Sequence, residues 1–110
     1  SADVQTQAQA FSFRQLRLFE SVGRLNSVRR GSEECNLSQP AVTQSLAKLE
    51  SLLGHSLLER RTSGSYLTEA GAILHRRTGR MFDQFVEALV ELEVPGGRAG
   101  AISISRYLTR

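Results

Sequence analysis

The stretch "SQPAVTQSLAKLE", residues 38–50, sets hydrogen-bonding side chains at helical spacing. Ser38, Gln39, Thr43, Gln44 and Lys48 are polar, while Ala41, Val42, Leu46, Leu49 and Leu53 form an apolar stripe at intervals of three and four. On a helix, positions 39, 43, 44 and 48 share one broad face opposite or beside that stripe. A face that served solubility alone would carry more Glu and Lys. Short amides and hydroxyls suit contact with base edges in a DNA major groove. Gln pairs bidentately with adenine, Ser and Thr bond several edges, and the Thr methyl touches a thymine methyl. Gln39, Thr43 and Gln44 are the candidates for base contact, and Lys48, further along, for a phosphate. The plain alternative is an ordinary solvated helix face.

Other residues could hold the backbone of a nucleic acid. Ser38 can cap the helix, whose N-terminus is itself a phosphate site. Pro40 would act through the chain it stiffens, or touch a sugar or base methyl with its ring. Arg14, Arg29, Arg60 and Arg61 are candidates for phosphate or minor-groove contact, each against the alternative of a solvated charge. Every phosphate neutralised adds a salt slope of about −0.9.

The net charge of +3 conceals an uneven distribution. Residues 11–80 hold eleven bases against six acids, a balance of +5, whereas residues 81–95 hold four acids and no base. The first part could meet a polyanion and the second could not. Of the fourteen basic residues only Lys48 is not Arg, a preference that suits bidentate phosphate contact but also follows from GC-rich coding. Catalysis has no constellation to support it. His55 and His75 have no metal-ligand spacing around them, and no Gly-rich phosphate loop, nucleophile elbow or carboxylate pair is present. Cys35 fits a core face better than a reactive site.

These side chains require elements to carry them. Phe13 to Val22 reads as an amphipathic helix capped by Ser12 and stopped by Gly23. Asn26 and Ser27 open a short helix to about Cys35, in which Gly31 costs up to about 1 kcal/mol unless another helix packs closely there. Asn36 and Leu37 turn the chain into the helix 38–53, with Pro40 in its first turn and Gly54 at its end. Two short helices across so tight a turn predict a helix-turn-helix, whose second member lies in the major groove. "SLLERRTSGSYLT" predicts a small hairpin, a wing, with Arg60 and Arg61 close to its tip. A long helix follows from Thr68 to Glu93, about 38 Å at 1.5 Å per residue, and its apolar residues outrun any core this chain can build. Leu74, Met81, Phe82, Phe85, Leu89 and Leu92 are the candidates for a dimer interface with a second copy. "VPGGRAG" breaks the helix, and "AISISRYLTR" reads as a hinge and the start of a further C-terminal region.

With 110 residues, 40% apolar and 23% charged, the composition fits one small globular domain. No apolar run approaches the roughly 20 residues of a membrane span. Residues 1–10 are polar and small, so that 1–11 predict a disordered lead-in without signal-peptide character. A single cysteine fits a reducing compartment, so the expected location is cytoplasmic.

A family likeness then emerges. Arg14-Gln15-Leu16 with Phe19, Ser38-Gln39-Pro40-Ala41-Val42, Leu49-Glu50, Gly54 with Leu57, Glu59-Arg60 and Leu67-Thr68-Glu69-Ala70-Gly71 stand in order and at matching spacing. Together they resemble the N-terminal DNA-binding domain of LysR-type transcriptional regulators, over about residues 12–93. The resemblance implies a mainly α winged helix-turn-helix over 12–67 and a linker helix over 68–94 that pairs two subunits. It also implies a C-terminal effector-sensing domain outside this chain, so that a small-molecule effector belongs there and no cofactor here. RNA polymerase is an implied partner of the full-length protein. The chain departs from the family pattern at Val28, at Gly31 and Ser32 in place of alanines, at Cys35, and in a wing short of basic residues. The departures predict a looser second helix and a weaker hold on phosphate.

The expectation is a homodimeric, sequence-specific regulator of transcription on double-stranded DNA. The rival from another class is a protein-interaction module that kept the fold, for which the amide and hydroxyl face at 38–48 would have no use.

Overall fold

The computed structural model describes residues 2–93 of the chain. The order is α1 (Ala2–Ala10), α2 (Phe13–Leu25), α3 (Val28–Glu34), α4 (Gln39–Leu53), β1 (Leu58–Arg61), β2 (Gly64–Leu67) and α5 (Glu69–Glu93). The expected hinge at 95–110 lies outside the described residues. Two compact units divide the chain, the first ending at His75 and the second beginning at Arg76.

In the first unit α2, α3 and α4 pack on one another around Leu18, Phe19, Val22, Val28, Val42, Leu46, Leu49 and Leu57. Phe19, Val22, Val42 and Leu49 are completely withdrawn from solvent. Each of these three helices starts on a serine. Ser12 Oγ accepts from Gln15 N while Gln15 Oε1 accepts from Ser12 N, Ser27 Oγ accepts from Arg30 N, and Ser38 Oγ accepts from Ala41 N. These caps satisfy amides that the first turn leaves without a carbonyl.

Several sequence expectations give way here. Gly23 does not stop α2, which runs on to Leu25 and ends on Asn26 in the left-handed conformation (φ 54°). A Cβ at Gly23 would stand 2.7 Å from His75 Cδ2, so its bareness serves packing rather than termination. Residues 1–11 were expected to lack structure, yet Ala2–Ala10 is helical and approaches α4. Its run of Ala and Gln without Gly or Pro favours helix, and Phe11, packed on the core, anchors its end. The second helix is not loose. Gly31 lies so close to Val22 that a Cβ would meet its Cγ2 at 2.6 Å, and Ser32, buried, donates to Arg29 O.

The hairpin pairs β1 and β2 antiparallel, with Leu58 opposite Leu67 and Arg61 opposite Gly64. Glu50 caps its entrance by accepting from Leu57 N at 2.7 Å and Leu58 N at 3.3 Å. Thr68 donates to Ser56 O and accepts from Gly71 N, which caps α5. His75 Nε2 donates to Glu20 O at 2.9 Å, and the ring meets Phe19 edge-on.

In the second unit the α5 residues Met81, Phe85, Leu89 and Leu92 are exposed, while Thr78, Phe82 and Val90 are buried. Of the six expected dimer contacts, two are drawn inward in the single chain. Phe82 is buried within the single chain, and Leu74 packs on the core of the first unit. At about 100° per residue, 81, 85 and 92 share the angular position of 74, whereas 82, 86 and 90 lie progressively to one side, with 89 between the two sets. Among the described residues no helix is long and apolar enough to cross a membrane.

Candidate nucleic-acid interface

Ser38, Gln39, Pro40, Thr43, Gln44 and Lys48 are all exposed on α4, whose other side is buried through Val42, Leu46 and Leu49. The rotation of about 100° per residue then separates the exposed residues into a centre and two flanks. Pro40 and Gln44 stand opposite the buried stripe. Gln39 and Thr43 lie on the flank that also carries Glu50, the residue bonded to the entrance of β1, so this flank faces the wing. Ala41, Ser45 and Lys48 lie on the other flank, toward the start of α2.

That second flank closes a concavity of about 410 Å³, lined by Ser12, Arg14 and Gln15 from α2 and by Ala41, Gln44, Ser45 and Lys48 from α4. Two cations, Arg14 and Lys48, thus share one depression with two amides, Gln15 and Gln44. Gln15 and Ser45 were not foreseen there, although Ala41, Gln44, Ser45 and Lys48 stand at i, i+3, i+4 and i+7, a pattern legible in the sequence. Ala41, expected in the buried stripe, is exposed and belongs to this concavity. It adjoins Val42 in the chain, and that single step sets it about 100° from the centre of the stripe.

The wing separates two arginines that the sequence treats alike. Successive side chains on a strand point to opposite faces. Arg60 Nη2 donates to Thr43 Oγ1 at 3.4 Å, on the α4 side. Arg61 shares the other face with Glu59 and Tyr66: its Nε lies 3.2 Å from Glu59 Oε1, and its guanidinium stands 5.0 Å from the Tyr66 ring centroid. Tyr66 Oη in turn bonds Ser63 Oγ at 3.0 Å, which stiffens the turn between the strands. Arg29 is engaged with Glu33 at 3.2 Å, but both ends are nearly two-thirds exposed, so the pair is weak and open to exchange for a phosphate.

Behind this surface lies a charge network the sequence did not disclose. Arg24 bonds Glu20 at 3.0 Å and Glu34 at 2.7 Å, and Ser21 donates to Glu34. The Arg24 hydrogen bond holds the Glu34 carboxyl below the usual carboxylate range, against the opposing effect of partial burial. The same bond raises Arg24. The network joins the end of α2 to the end of α3 and so fixes the corner on which α4 is mounted. Among the described residues no group of three His, Cys, Asp or Glu could hold a metal ion.

Comparison with known proteins places this geometry. Residues 13–72 match the family described as bacterial regulatory helix-turn-helix protein, lysR family. The RuBisCO operon transcriptional regulator of Allochromatium vinosum is 42% identical over 97 residues, covering 86% of this chain and 32% of that protein. The HTH-type transcriptional regulator PcaQ of Agrobacterium fabrum is 37% identical over 92 residues, covering 84% of this chain and 30% of that protein. The chain thus spans about a third of the length of these curated relatives. Among solved structures, a CbnR DBD–DNA complex aligns with a TM-score of 0.66 at 29% identity, covering 84% of this chain and 99% of that one. OxyR of Corynebacterium glutamicum, in an H2O2-bound form, aligns with a TM-score of 0.68 at 28% identity, over 74% of this chain and 26% of that one.

Proposed function

The chain belongs to the LysR family of bacterial regulatory helix-turn-helix proteins, and from that premise we propose that it binds duplex DNA sequence-specifically as a transcription regulator. The observation that carries this reading is the exposed centre of α4, an amide face flanked by Arg14 and Lys48 on one side and by Arg60 on the other. Gln39, Thr43 and Gln44 read base edges in the major groove. Ser38, Lys48, Arg14 and Arg29 meet phosphates, Pro40 holds the first turn of α4 against the backbone, and Arg60 and Arg61 serve the wing.

Two copies pair through the exposed stripe of α5, so that their α4 helices address half-sites spaced by whole turns of about 10 bp. A small-molecule effector acts on a C-terminal region of the longer protein, which works in the cytoplasm and contacts RNA polymerase there.

Fluorescence anisotropy with two labelled duplexes tests the reading. One carries the region upstream of the protein's own gene and the other a scrambled sequence of equal composition, each titrated across salt. Sequence-dependent binding that survives moderate salt is the expected result. Weak binding, equal on both duplexes and lost with salt, would move the protein-interaction reading to the front.

A further inference from the structure

Thr43 carries a hydroxyl with one donor and two acceptor positions. Left free to rotate, such a group bonds base donors and base acceptors alike, and discriminates poorly between them. In this fold it is not left free. Arg60 on β1 donates to Thr43 Oγ1 at 3.4 Å, and a guanidinium can only donate, so the bond takes up an acceptor position of the hydroxyl.

The backbone beneath Arg60 is held as well. Its cross-strand partner Ser65 is buried. Ser65 N donates to Asn26 O at 3.1 Å, and Asn26 Nδ2 donates back to Ser65 O at 3.3 Å. At the neighbouring Gly64 the same Asn26 O approaches to within 2.4 Å of where a Cβ would stand. The hairpin is therefore stitched to the corner between α2 and α3, which also supports α4. Arg61 and Arg60 differ accordingly: Arg61 is engaged with Glu59 and Tyr66 on the far face, and Arg60 alone of the two turns toward α4.

We propose that Arg60 is a positioning residue for base reading, which fixes the Thr43 hydroxyl as a hydrogen-bond donor toward the major groove. This rests on the reading of α4 as the helix that enters that groove. With one lone pair occupied and a cation beside the oxygen, a base N–H is repelled and a base acceptor is favoured. Thr43 then selects guanine O6 or N7, adenine N7 or thymine O4, and rejects the exocyclic amine of cytosine. Its partner in recognition is a base edge that accepts, and the wing, which touches no base in this scheme, sets that preference from behind.

The test is selection from a randomised duplex pool by the wild-type chain, Arg60→Ala, Thr43→Val and the double variant, followed by titration of the enriched site with each base pair exchanged. Both positions are exposed, and circular dichroism confirms that each variant remains folded. Thr43→Val is expected to lose discrimination at one base pair. Arg60→Ala is expected to lose about tenfold in discrimination against cytosine at that same pair. Adding it to Thr43→Val should change that pair no further, whatever both do to overall affinity. A merely phosphate-binding Arg60 would weaken all duplexes in parallel, lower the salt slope and leave the base preference intact; that result overturns the proposal. An unchanged profile in Thr43→Val also overturns it while leaving sequence-specific binding standing. If the wild-type chain enriches no sequence, the regulator reading itself fails, and the proposal with it.

Discussion

Gln44 stands at the centre of the exposed side of α4 and also lines the concavity beside Arg14 and Lys48. An amide placed there has both a donor and an acceptor to offer one adenine edge. Gln44→Ala is therefore expected to cost about 1–3 kcal/mol on the preferred site and to relax preference at one or two base pairs. Equal weakening on every duplex in an anisotropy panel would show that Gln44 does not read bases. Glu34 makes a prediction of another kind. Its carboxyl is held below the usual range by Arg24, so its contribution to stability is present above the ordinary Glu pKa and lost as pH falls through the depressed one. Glu34→Gln should flatten the acid limb of thermal stability against pH and leave the neutral region lower by about 1 kcal/mol or less, because the pair is partly solvated. Parallel melting curves down the acid limb for wild type and variant would dismiss the Arg24–Glu34 pair as a source of that limb.

Among the elements, α5 shows how two glycines with the same sequence signal do different work. A Cβ at Gly71 would come within 2.0 Å of Leu57 O, a backbone atom that cannot step aside, because the first turn of α5 is pressed against the strand entrance. Among the described residues, a Cβ at Gly79 would meet nothing within 4 Å beyond its own stretch of helix. Gly71→Ala should destabilise by about 3 kcal/mol, toward the upper end of overpacking, whereas Gly79→Ala should stabilise by up to about 1 kcal/mol through helix propensity. Urea unfolding of the two variants checks both signs, and a neutral Gly71→Ala would mean that α5 can move off Leu57 at little cost. Helix α3 teaches the same lesson. Its departures from the family pattern suggested looseness, but Gly31 supplies close approach to Val22 where a larger side chain would hold the helices apart.

For the whole molecule, the second unit exposes Met81, Leu89 and Leu92 along one stripe, with Leu92 at 82%. Contiguous apolar surface of this kind on a small protein marks an interface. Four acids and no base between residues 81 and 95 keep that stripe from competing for the polyanion that the first unit would meet. Leu89→Asp is expected to split a dimer into monomers and to weaken binding to a two-half-site duplex far more than to a single half-site. An unchanged mass by light scattering would remove α5 from the dimer arrangement.

The winged helix-turn-helix, the exposed polar face at 38–48 and the serine caps could all be deduced from residue order, because capping, periodicity and turn chemistry act within a few residues. Asn26 ending α2 was within reach too, had Asn been weighed against Gly23 as the left-handed residue. What residue order could not supply lies between elements distant in the chain. The division of α4 into a wing flank and an α2 flank, the opposite faces of Arg60 and Arg61, and the Arg24–Glu34 network depend on which neighbours the packing brings up. Likewise, Phe82 and Leu89 are equivalent in an apolar pattern, and only the folded chain buries one and exposes the other. Local periodicity fixes the direction of a side chain relative to its own element, and tertiary packing alone decides what it meets there.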